Sequence, residues 1–510
     1  MRVLYNTCVV DPWVKVAEKL QREHGYEPVY WIGYNYDDSE HIVKDVFPSI
    51  CYQSYPDAWK GIFSKEIREK ASECYIDIDF LNNISRYELQ AIKMMDRLDY
   101  DRYSFNYMER ERHFLNLLKN WMACIEIYKP DLVVSAVNPH RVYDYVLYLL
   151  CKQMNIKFIC FQYSMCVERI YATDNCYSIG DIFDKDYHYY LSKGNLSKDD
   201  LPVEVRKQYE KVLKDYSEAA PAYMKTHVIS NKRNANILYL LREFVKKIDL
   251  KSVFIHGISV TMIKNRRYSL ECTHWGIWNI VKARMQKHRY LKYLNRYYLS
   301  LAEAPSDGDK YVYFPLHYQP EATTSPTGDI FVNQRLCVEV LLKNLPNDYF
   351  VYVKEHPQQF MLHMLGHTSR IKCFYDDLKA TKRVKLIPLN IDSYSLMRNA
   401  KAVATVTGTI GWEAIMHRLP VIVFGMIWYE KAPGVLRVGG DKSAESICAF
   451  IEEYEYNEQA ILSYLLAFTQ KSILAYHYKG RKEKMNLSEN VCVDNILKEV
   501  VTQSQQCVKY

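Results

Sequence analysis

The chain has 510 residues, of which 49% are hydrophobic and 25% are charged, and its formal net charge is +7. This usage is typical of folded globular proteins and excludes a chain dominated by disordered or collagen-like segments. Because 510 residues exceed one ordinary hydrophobic core, we expect two domains and an insertion. The 14 cysteines contain no Cys-x-x-Cys pair and no metal-ligand spacing, which indicates reduced thiols and predicts no metal site.

The N-terminal residues bear on the expected cellular location of the protein. Met1 and Arg2 lead directly into apolar residues, without the charged and then apolar layout of a signal peptide. No segment approaches the roughly 18 apolar residues of a membrane span. We therefore expect a cytoplasmic protein, with peripheral contact on the inner face of the cytoplasmic membrane as an open alternative.

The first part of the chain predicts alternating strands and helices. The predicted strands are residues 2–10, 28–32, 131–136 and 157–161, and the predicted helices are 13–24 and 142–154. Parallel α/β layering explains this order best. We assign residues 1–224 to an N-terminal α/β domain.

The middle of the chain has a different charge balance. Residues 225–298 contain 16 Lys and Arg residues against three acidic residues. We assign 225–307 to a basic, mainly helical insertion. Two interpretations stay open, a solvated helical face and contact with an anionic membrane or polyanionic acceptor. Because no nucleic-acid reading motif accompanies the charge, we expect no nucleic-acid partner.

The strand and helix alternation restarts near residue 308. The predicted strands are 310–316, 349–354, 402–406 and 420–424, and the predicted helices are 333–343, 393–399 and 411–417. We assign 308–443 to a second α/β domain and 444–510 to a helical tail.

A His-Pro motif follows the strand predicted at 349–354. It reads Lys354-Glu355-His356-Pro357. Pro357 restricts His356 to extended backbone, and ligands bind at the carboxyl ends of strands in open α/β sheets. We therefore predict that His356 donates to a phosphate oxygen and assign Lys354 and Pro357 to the same nucleotide site. An exposed turn that merely ends the strand is the structural alternative.

A small-residue turn connects the strand at 402–406 to the next helix. Thr407, Gly408 and Thr409 offer hydroxyls and backbone N–H groups at a positive helix end, which is an anion site. Glu413 follows within the helix and is predicted to contact ribose hydroxyls. Simple helix capping is the alternative for Glu413.

A carboxylate follows the strand at 310–316. Glu321 lies in a loop that can place a general base near an acceptor hydroxyl. His317 is the rival base, and Gln319 is assigned a supporting role. A solvated loop carboxylate is the structural alternative.

In their order along the chain, these motifs resemble the capsule polysaccharide biosynthesis family, which includes the bacterial β-Kdo transferases. The matching residues are Gln319-Pro320-Glu321, Lys354-Glu355-His356-Pro357 and Thr407-Gly408-Thr409-Ile410-Gly411-Trp412-Glu413. The resemblance implies a GT-B-like fold, with two Rossmann-like parallel-sheet domains facing across a cleft. It places the nucleotide sugar mainly on the C-terminal domain and the acceptor on the N-terminal domain. In the Kdo-type members a Gln-x-Asp motif supplies the base, and here Glu321 stands at the position of that Asp.

The resemblance implies a glycosyltransferase of surface polysaccharide biosynthesis, with an inverting, metal-independent reaction. The expected partners are a nucleotide-sugar donor, most simply CMP-linked Kdo or another nonulosonic acid, and a glycan or glycolipid acceptor, with no further cofactor. Contact with the inner membrane or with polysaccharide assembly machinery is a further expectation. Three alternatives stay open: a teichoic-acid-type polyol-phosphate transferase, a nucleotide-sugar 2-epimerase and a non-catalytic scaffold.

Overall fold

The computed structural model describes residues 1–8, 10–34, 38–99, 102, 105–164, 169–214, 277–478, 482 and 485–506. The chain divides into two compact units. The first unit contains Met1–Met95, Tyr107–Arg206 and Gln459–Tyr510, and the second contains Asp96–Asn106 and Lys207–Glu458. The predicted domain boundaries at residues 224, 307 and 443 stay predictions. Most of the predicted basic insertion, residues 225–276, lies outside the described residues.

The described strands form two sheets. In chain order they are β1 Arg2–Asn6, β2 Glu27–Gly33, β3 Cys51–Ser54, β4 Leu132–Ser135, β5 Lys157–Ser164, β6 Arg169–Thr173, β7 Lys310–Pro315, β8 Tyr349–Lys354, β9 Val384–Leu386, β10 Ala402–Thr405, β11 Val421–Val423, β12 Val435–Arg437 and β13 Ser472–Ile473.

The helices of the first half are α1 Val10–His24, α2 Ser39–Val46, α3 Tyr55–Trp59, α4 Lys65–Glu73, α5 Ile78–Met94, α6 Tyr107–Tyr128, α7 Val142–Gln153, α8 Asp184–Lys193 and α9 Val203–Lys214. Those of the second half are α10 Ile277–Leu301, α11 Gln334–Asn344, α12 Lys372–Lys379, α13 Ser393–Arg398, α14 Thr409–Met416, α15 Asp441–Glu445, α16 Ile447–Glu452, α17 Glu458–Lys471 and α18 Glu489–Gln505. Within the part of the chain described, no helix is long and apolar enough to cross a membrane.

The first sheet has the strand order β13-β6-β5-β4-β1-β2-β3. Strands β1 to β5 pair in parallel, whereas β6, at one side, pairs antiparallel with both β5 and β13. The parallel part therefore has the order 3-2-1-4-5 of a doubly wound fold, and the order reverses between β1 and β4.

The second sheet is parallel throughout, in the order β12-β11-β10-β7-β8-β9. Numbered within the sheet, this is again 3-2-1-4-5-6, with the reversal between β7 and β10. Two parallel-sheet α/β units are thus confirmed. The strands are apolar along their length because helices cover such sheets on both faces, and β4, β10 and β11 are buried at every residue.

Each unit has its own hydrophobic core. The first core joins Trp13 of α1 and Trp31 of β2 to Cys492 and Ile496 of α18. The last helix of the chain therefore packs within the first unit. The second core surrounds β7, β8 and β10 and includes Tyr298 of α10.

Candidate functional site

Three predicted loops meet at one edge of the second sheet. Strand β7 lies between β10 and β8, and Pro315 at its end pairs with Lys354. The loop with Glu321, the His-Pro turn and the Thr-Gly-Thr turn therefore leave three adjacent strands at their carboxyl ends. This edge includes the point where the strand order reverses, which is the usual ligand position in open α/β sheets.

His356 is fixed by its own backbone turn. It caps the short 3-10 helix Pro357–Phe360, and its Nδ1 accepts the N–H of Gln358 at 3.2 Å. A neutral ring that accepts at Nδ1 carries its proton on Nε2. This tautomer suits the predicted role of His356 as a donor to phosphate.

His317 has the opposite tautomer. Its Nε2 accepts the backbone N–H of Thr407 at 3.2 Å, so the proton lies on Nδ1, which is buried without a hydrogen-bond partner. Burial, with smaller contributions from His356 and Arg370, lowers the pKa of His317 to about 3. His317 is therefore a neutral donor, and its only basic nitrogen already accepts a hydrogen bond.

Glu321 lies in the same group of loops. Its Oε2 accepts the hydroxyl of Thr323 at 3.0 Å. Burial raises the pKa of Glu321, against opposing effects of the Thr323 hydroxyl and of Arg97. A raised pKa brings a carboxylate closer to the range in which general bases work. The Glu321 carboxylate is therefore able to take a proton, and the choice between Glu321 and His317 as the base stays a prediction.

Gln319 is part of a buried network that holds the loop. Its side-chain oxygen accepts from Arg370 at 2.6 Å, and its Nε2 donates to the carbonyl of Val332 at 2.6 Å. Gln359 exchanges two hydrogen bonds with the Gln319 backbone, both at 3.0 Å. Gln319 therefore helps to hold the loop in place, and its predicted supporting role at the site stays a prediction.

Arg370 is the residue that joins two of the loops, and sequence reasoning missed it. Its Nε donates to Glu355 at 2.8 Å, and its Nη2 donates to the carbonyl of His317 at 3.2 Å. Both members of this ion pair are buried, with side chains 1% and 0% exposed. Tyr375 also donates to the Glu355 carboxylate at 2.8 Å. No sequence signal marks Arg370, because its partners are up to 53 residues away.

The Thr-Gly-Thr turn joins the third loop to the first. The hydroxyl of Thr407 donates to the carbonyl of Thr323, and the N–H of Gly408 donates to Thr405 at 3.0 Å. A methyl group on Gly408 would lie 2.7 Å from the Thr405 hydroxyl and 3.4 Å from His317 Nε2. Gly408 is therefore needed for close approach, and Thr409 begins helix α14 directly after it.

Glu413 lies one turn into α14 and is 7% exposed. Burial raises its pKa to about 7, with a smaller opposing effect from a hydrogen bond with Thr409. Its Oε2 is buried and has no hydrogen-bond partner. A buried oxygen without a partner is unfavourable unless a ligand or water completes it, which fits the predicted contact with a hydroxyl group.

Lys354 is occupied within the protein. Its ammonium donates to the carbonyl of Ile391 and to Ser393 at 2.9 Å. Burial lowers its pKa, against an opposing effect of Asp392. Lys354 therefore ties β8 to the start of α13, while Pro357 is exposed at the start of its short helix. The predicted nucleotide contacts of both residues stay predictions.

The structure thus brings Glu321, His317, His356, Thr407, Gly408, Thr409 and Glu413 to one sheet edge. This edge offers neutral imidazole N–H groups, a helix N-terminus and a carboxylate with a raised pKa, so it suits an anionic leaving group beside a base. Among the described residues, no group of three or more His, Cys, Asp or Glu is arranged to hold a metal ion. The predicted metal independence is not tested by this arrangement.

Part of this region is similar to a known protein family. Residues 333–472 match the family described as capsule polysaccharide biosynthesis protein. The match contains the His-Pro turn and the Thr-Gly-Thr turn but begins after Glu321. It confirms the resemblance to this family that the motifs indicate. No curated protein sequence matches the chain.

Several solved structures are similar to the chain at low identity. The β-Kdo 2,4-transferase KpsC of Thermosulfurimonas dismutans is 19% identical over 36% of this chain and 54% of its own, with a TM-score of 0.23. The β-Kdo 2,7-transferase of the same protein is 16% identical over 44% and 65%, with a TM-score of 0.22. The chain thus spans less than two thirds of either transferase. UDP-GlcNAc 2-epimerase of Neisseria meningitidis is 14% identical over 99% of both chains, with a TM-score of 0.21.

Proposed function

We propose, from the match of residues 333–472 to the capsule polysaccharide biosynthesis family, that this chain is a glycosyltransferase of surface polysaccharide biosynthesis. It transfers a sugar from a nucleotide donor to a glycan or glycolipid acceptor. The observation that carries the proposal is the meeting of Glu321, His356 and the Thr407 turn at the reversal point of the second sheet.

The leaving-group half of the site is the edge formed by His356, His317 and the N-terminus of α14. When the bond between the anomeric carbon and the phosphate oxygen breaks, negative charge collects on the nucleotide phosphate. Donors that already point at this position stabilise that charge without further reorganisation. Two imidazoles with fixed, opposite tautomers provide such donors, and the α14 N-terminus adds the helix dipole.

The base half is Glu321. Its carboxylate takes the proton of an acceptor hydroxyl while the hydroxyl oxygen forms the new bond at the anomeric carbon, with inversion. Burial raises the pKa of Glu321, so the carboxylate is a stronger base than an exposed Glu. General-base assistance of this kind contributes about 10²–10⁴ in rate.

The donor is proposed to be CMP-linked, with Kdo or another nonulosonic acid as the sugar. This choice follows from the resemblance to the Kdo-type members, in which Glu321 takes the position of their Asp. The raised pKa and unpartnered oxygen of Glu413 support a contact with a nucleotide hydroxyl.

A nucleotide panel followed by product analysis tests the proposal. The full chain is heated with CMP, CDP and UDP, and a nucleotide present at about 100 times its Kd should stabilise it by about 2.7 kcal/mol. Free sugar acid together with CMP after incubation with CMP-Kdo supports the proposed donor. Glycerol phosphate and CMP from CDP-glycerol would instead indicate a polyol-phosphate transferase, and an epimerised UDP-sugar a 2-epimerase. The absence of stabilisation by every nucleotide would favour a scaffold and overturn the proposal.

A further inference from the structure

The first sheet has its own reversal point, between β1 and β4, and buried polar residues line it. Asn6 ends β1 and Ser135 ends β4, and both are fully buried. Asn6 Nδ2 donates to Ser135 at 2.8 Å, while the hydroxyls of Thr7 and Tyr143 are 2.8 Å apart. Polar residues in a sheet otherwise filled by apolar side chains mark this edge as a place for a ligand.

One cation lies at this edge. Arg141 is the residue before helix α7, and its guanidinium carbon lies 4.7 Å from the centre of the Tyr55 ring. The Tyr34 and Tyr55 rings meet edge to face at 4.8 Å. Tyr34 follows β2 and Tyr55 follows β3, so neighbouring strand ends supply the surroundings of the guanidinium.

The guanidinium stacks on Tyr55, but one of its nitrogens makes no hydrogen bond within the protein. Arg141 Nη1 is buried and has no hydrogen-bond partner. Arg141 also forms no ion pair within the described ranges of the chain. The nearby Asp144 carboxylate accepts the backbone N–H groups of His140 at 3.1 Å and of Arg141 at 2.7 Å, so its Oδ1 completes the helix cap. The cap does not need the guanidinium.

A shielded guanidinium nitrogen without an acceptor is costly, because the N–H loses its hydrogen bond to water. Buried polar groups are otherwise paired, and buried charges above all. Arg141 as a residue keeps partial exposure, so part of its side chain is open to a ligand. The geometry of guanidinium matches the two oxygens of a carboxylate or phosphate group.

We infer that Arg141, Tyr55 and Tyr34 form a binding site for a sugar that carries an oxyanion, either a carboxylate or a phosphate. The Arg141 guanidinium donates to the oxyanion through N–H groups in its plane, and the two Tyr rings supply apolar area next to it. The choice of a sugar rests on the proposed function, whereas the oxyanion requirement rests on Arg141 alone. Arg141, Tyr55 and Tyr34 all belong to the first unit.

Binding of matched small probes to the full chain tests this inference. Glucuronate and glucose 6-phosphate carry the two oxyanions, and glucose is the neutral control. Calorimetry with probes up to about 10 mM detects the millimolar affinities of such fragments. We expect glucuronate or glucose 6-phosphate to bind and glucose not to bind. The probe that binds more tightly shows whether the site prefers a carboxylate or a phosphate.

Variants assign the binding to Arg141. Arg141→Gln should weaken the oxyanion probe at least about tenfold, and Arg141→Lys should give an intermediate loss because the charge stays but the fork is lost. Arg86→Gln is the matched control, because Arg86 also lies 4.8 Å over a Tyr ring in the first unit but is exposed. It should bind the probe like the unchanged chain.

Three results overturn the inference: no binding of either oxyanion probe, equal binding of glucose, or unchanged binding by Arg141→Gln. CMP binding is measured on the same samples and reports folding of the variants. If the unchanged chain binds the oxyanion probe but does not bind CMP, the result counts against the proposed function and not against this site. Should Arg141→Gln fail to fold, the Arg141→Lys series decides by itself.

Discussion

The two sheets share one strand order but differ in what their reversal points hold. The first edge is held by neutral hydrogen bonds, Asn6 with Ser135 and Thr7 with Tyr143, and carries Arg141, whose Nη1 has no hydrogen-bond partner. The second edge is held by a buried ion pair, Arg370 with Glu355, and leaves neutral or protonatable groups without partners.

The difference shows that topology selects the position of a site and side chains select its chemistry. At the second edge Arg370 bonds to the loops that it holds, so the groups left for a ligand are the Nδ1–H of His317, a helix end and carboxyl groups with raised pKa. At the first edge the cation itself is left for a ligand. The following predictions test this contrast.

The largest effect is expected for chemistry at the second edge. Glu321→Gln should lower the rate of sugar transfer about 10²–10⁴-fold, because the amide cannot take the acceptor proton. Nucleotide binding should be unchanged. The matched control is Glu339→Gln, an exposed Glu of α11 in the same unit. Initial rates with the donor identified by the nucleotide panel measure the effect, and a rate within threefold of the unchanged chain would remove the base role.

The next effect concerns the ion pair that holds the second edge. Arg370→Met should lower the free energy of unfolding by about 3–5 kcal/mol, because Glu355 then stays buried without its charge partner. Arg335→Met, which removes a partly exposed Arg paired with Asp377, should cost about 0–1 kcal/mol. Urea unfolding of the two variants provides the comparison. A similar small cost for both would mean that the buried pair does not hold the loops.

The raised pKa of Glu413 predicts a dependence of stability on pH. Its pKa is about 7 in the folded chain and 4.5 for an ordinary Glu, so the folded state binds more protons between these values. Stability should therefore be fully present below about pH 4.5, fall as the pH rises towards 7, and level off above it. The full titration of Glu413 should change the free energy of unfolding by about 3 kcal/mol.

Glu413→Gln removes this titration. The free energy of unfolding in urea should differ between pH 5 and pH 8 for the unchanged chain, and this difference should become smaller by about 2.5 kcal/mol in the variant. An identical pH dependence in both proteins would contradict the assignment. In the unchanged chain, a nucleotide that donates a hydrogen bond to Oε2 should stabilise the ionised carboxylate. Adding that nucleotide should therefore reduce the difference in stability between pH 5 and pH 8.

The smallest effect is expected for the turn at the start of α14. Gly408→Ala places a methyl group 2.7 Å from Thr405 and 3.4 Å from His317, so the turn must shift by a few tenths of an ångström. Nucleotide affinity should fall about tenfold, which corresponds to about 1.4 kcal/mol. Gly440→Ala is the control, because nothing lies within 4 Å of its added carbon. Equal affinities of both variants would place the nucleotide elsewhere.

Much of the fold follows from local patterns. Strand β8 has the predicted bounds, and β7, β10 and α7 each end one residue earlier than predicted. Strand β1 is shorter than predicted and ends at Asn6, because the chain turns at Thr7, which has a positive φ of 53°. Apolar periodicity predicted these elements because strand and helix formation depend on neighbours in sequence.

Part of the candidate site also follows from the sequence. The ends of predicted strands located Glu321, His356 and the Thr407 turn, since parallel strands bring their carboxyl ends to one edge. The sequence gives no sign of Arg370, Arg97 or Gln359, whose contacts join distant segments. It also predicts no role for Arg141, because the sequence marks it only as the residue before a predicted helix.

The amino-acid sequence by itself determined the alternation of strands and helices, the two parallel sheets and the order of the motifs on them. Tertiary structure decided the protonation of the site, because burial and partners set the tautomers of His317 and His356 and the pKa of Glu413. It also decided that Arg370 and Lys354 donate hydrogen bonds within the protein, whereas Nη1 of Arg141 has no hydrogen-bond partner there. These outcomes depend on distances between residues far apart in the chain, which no local pattern contains.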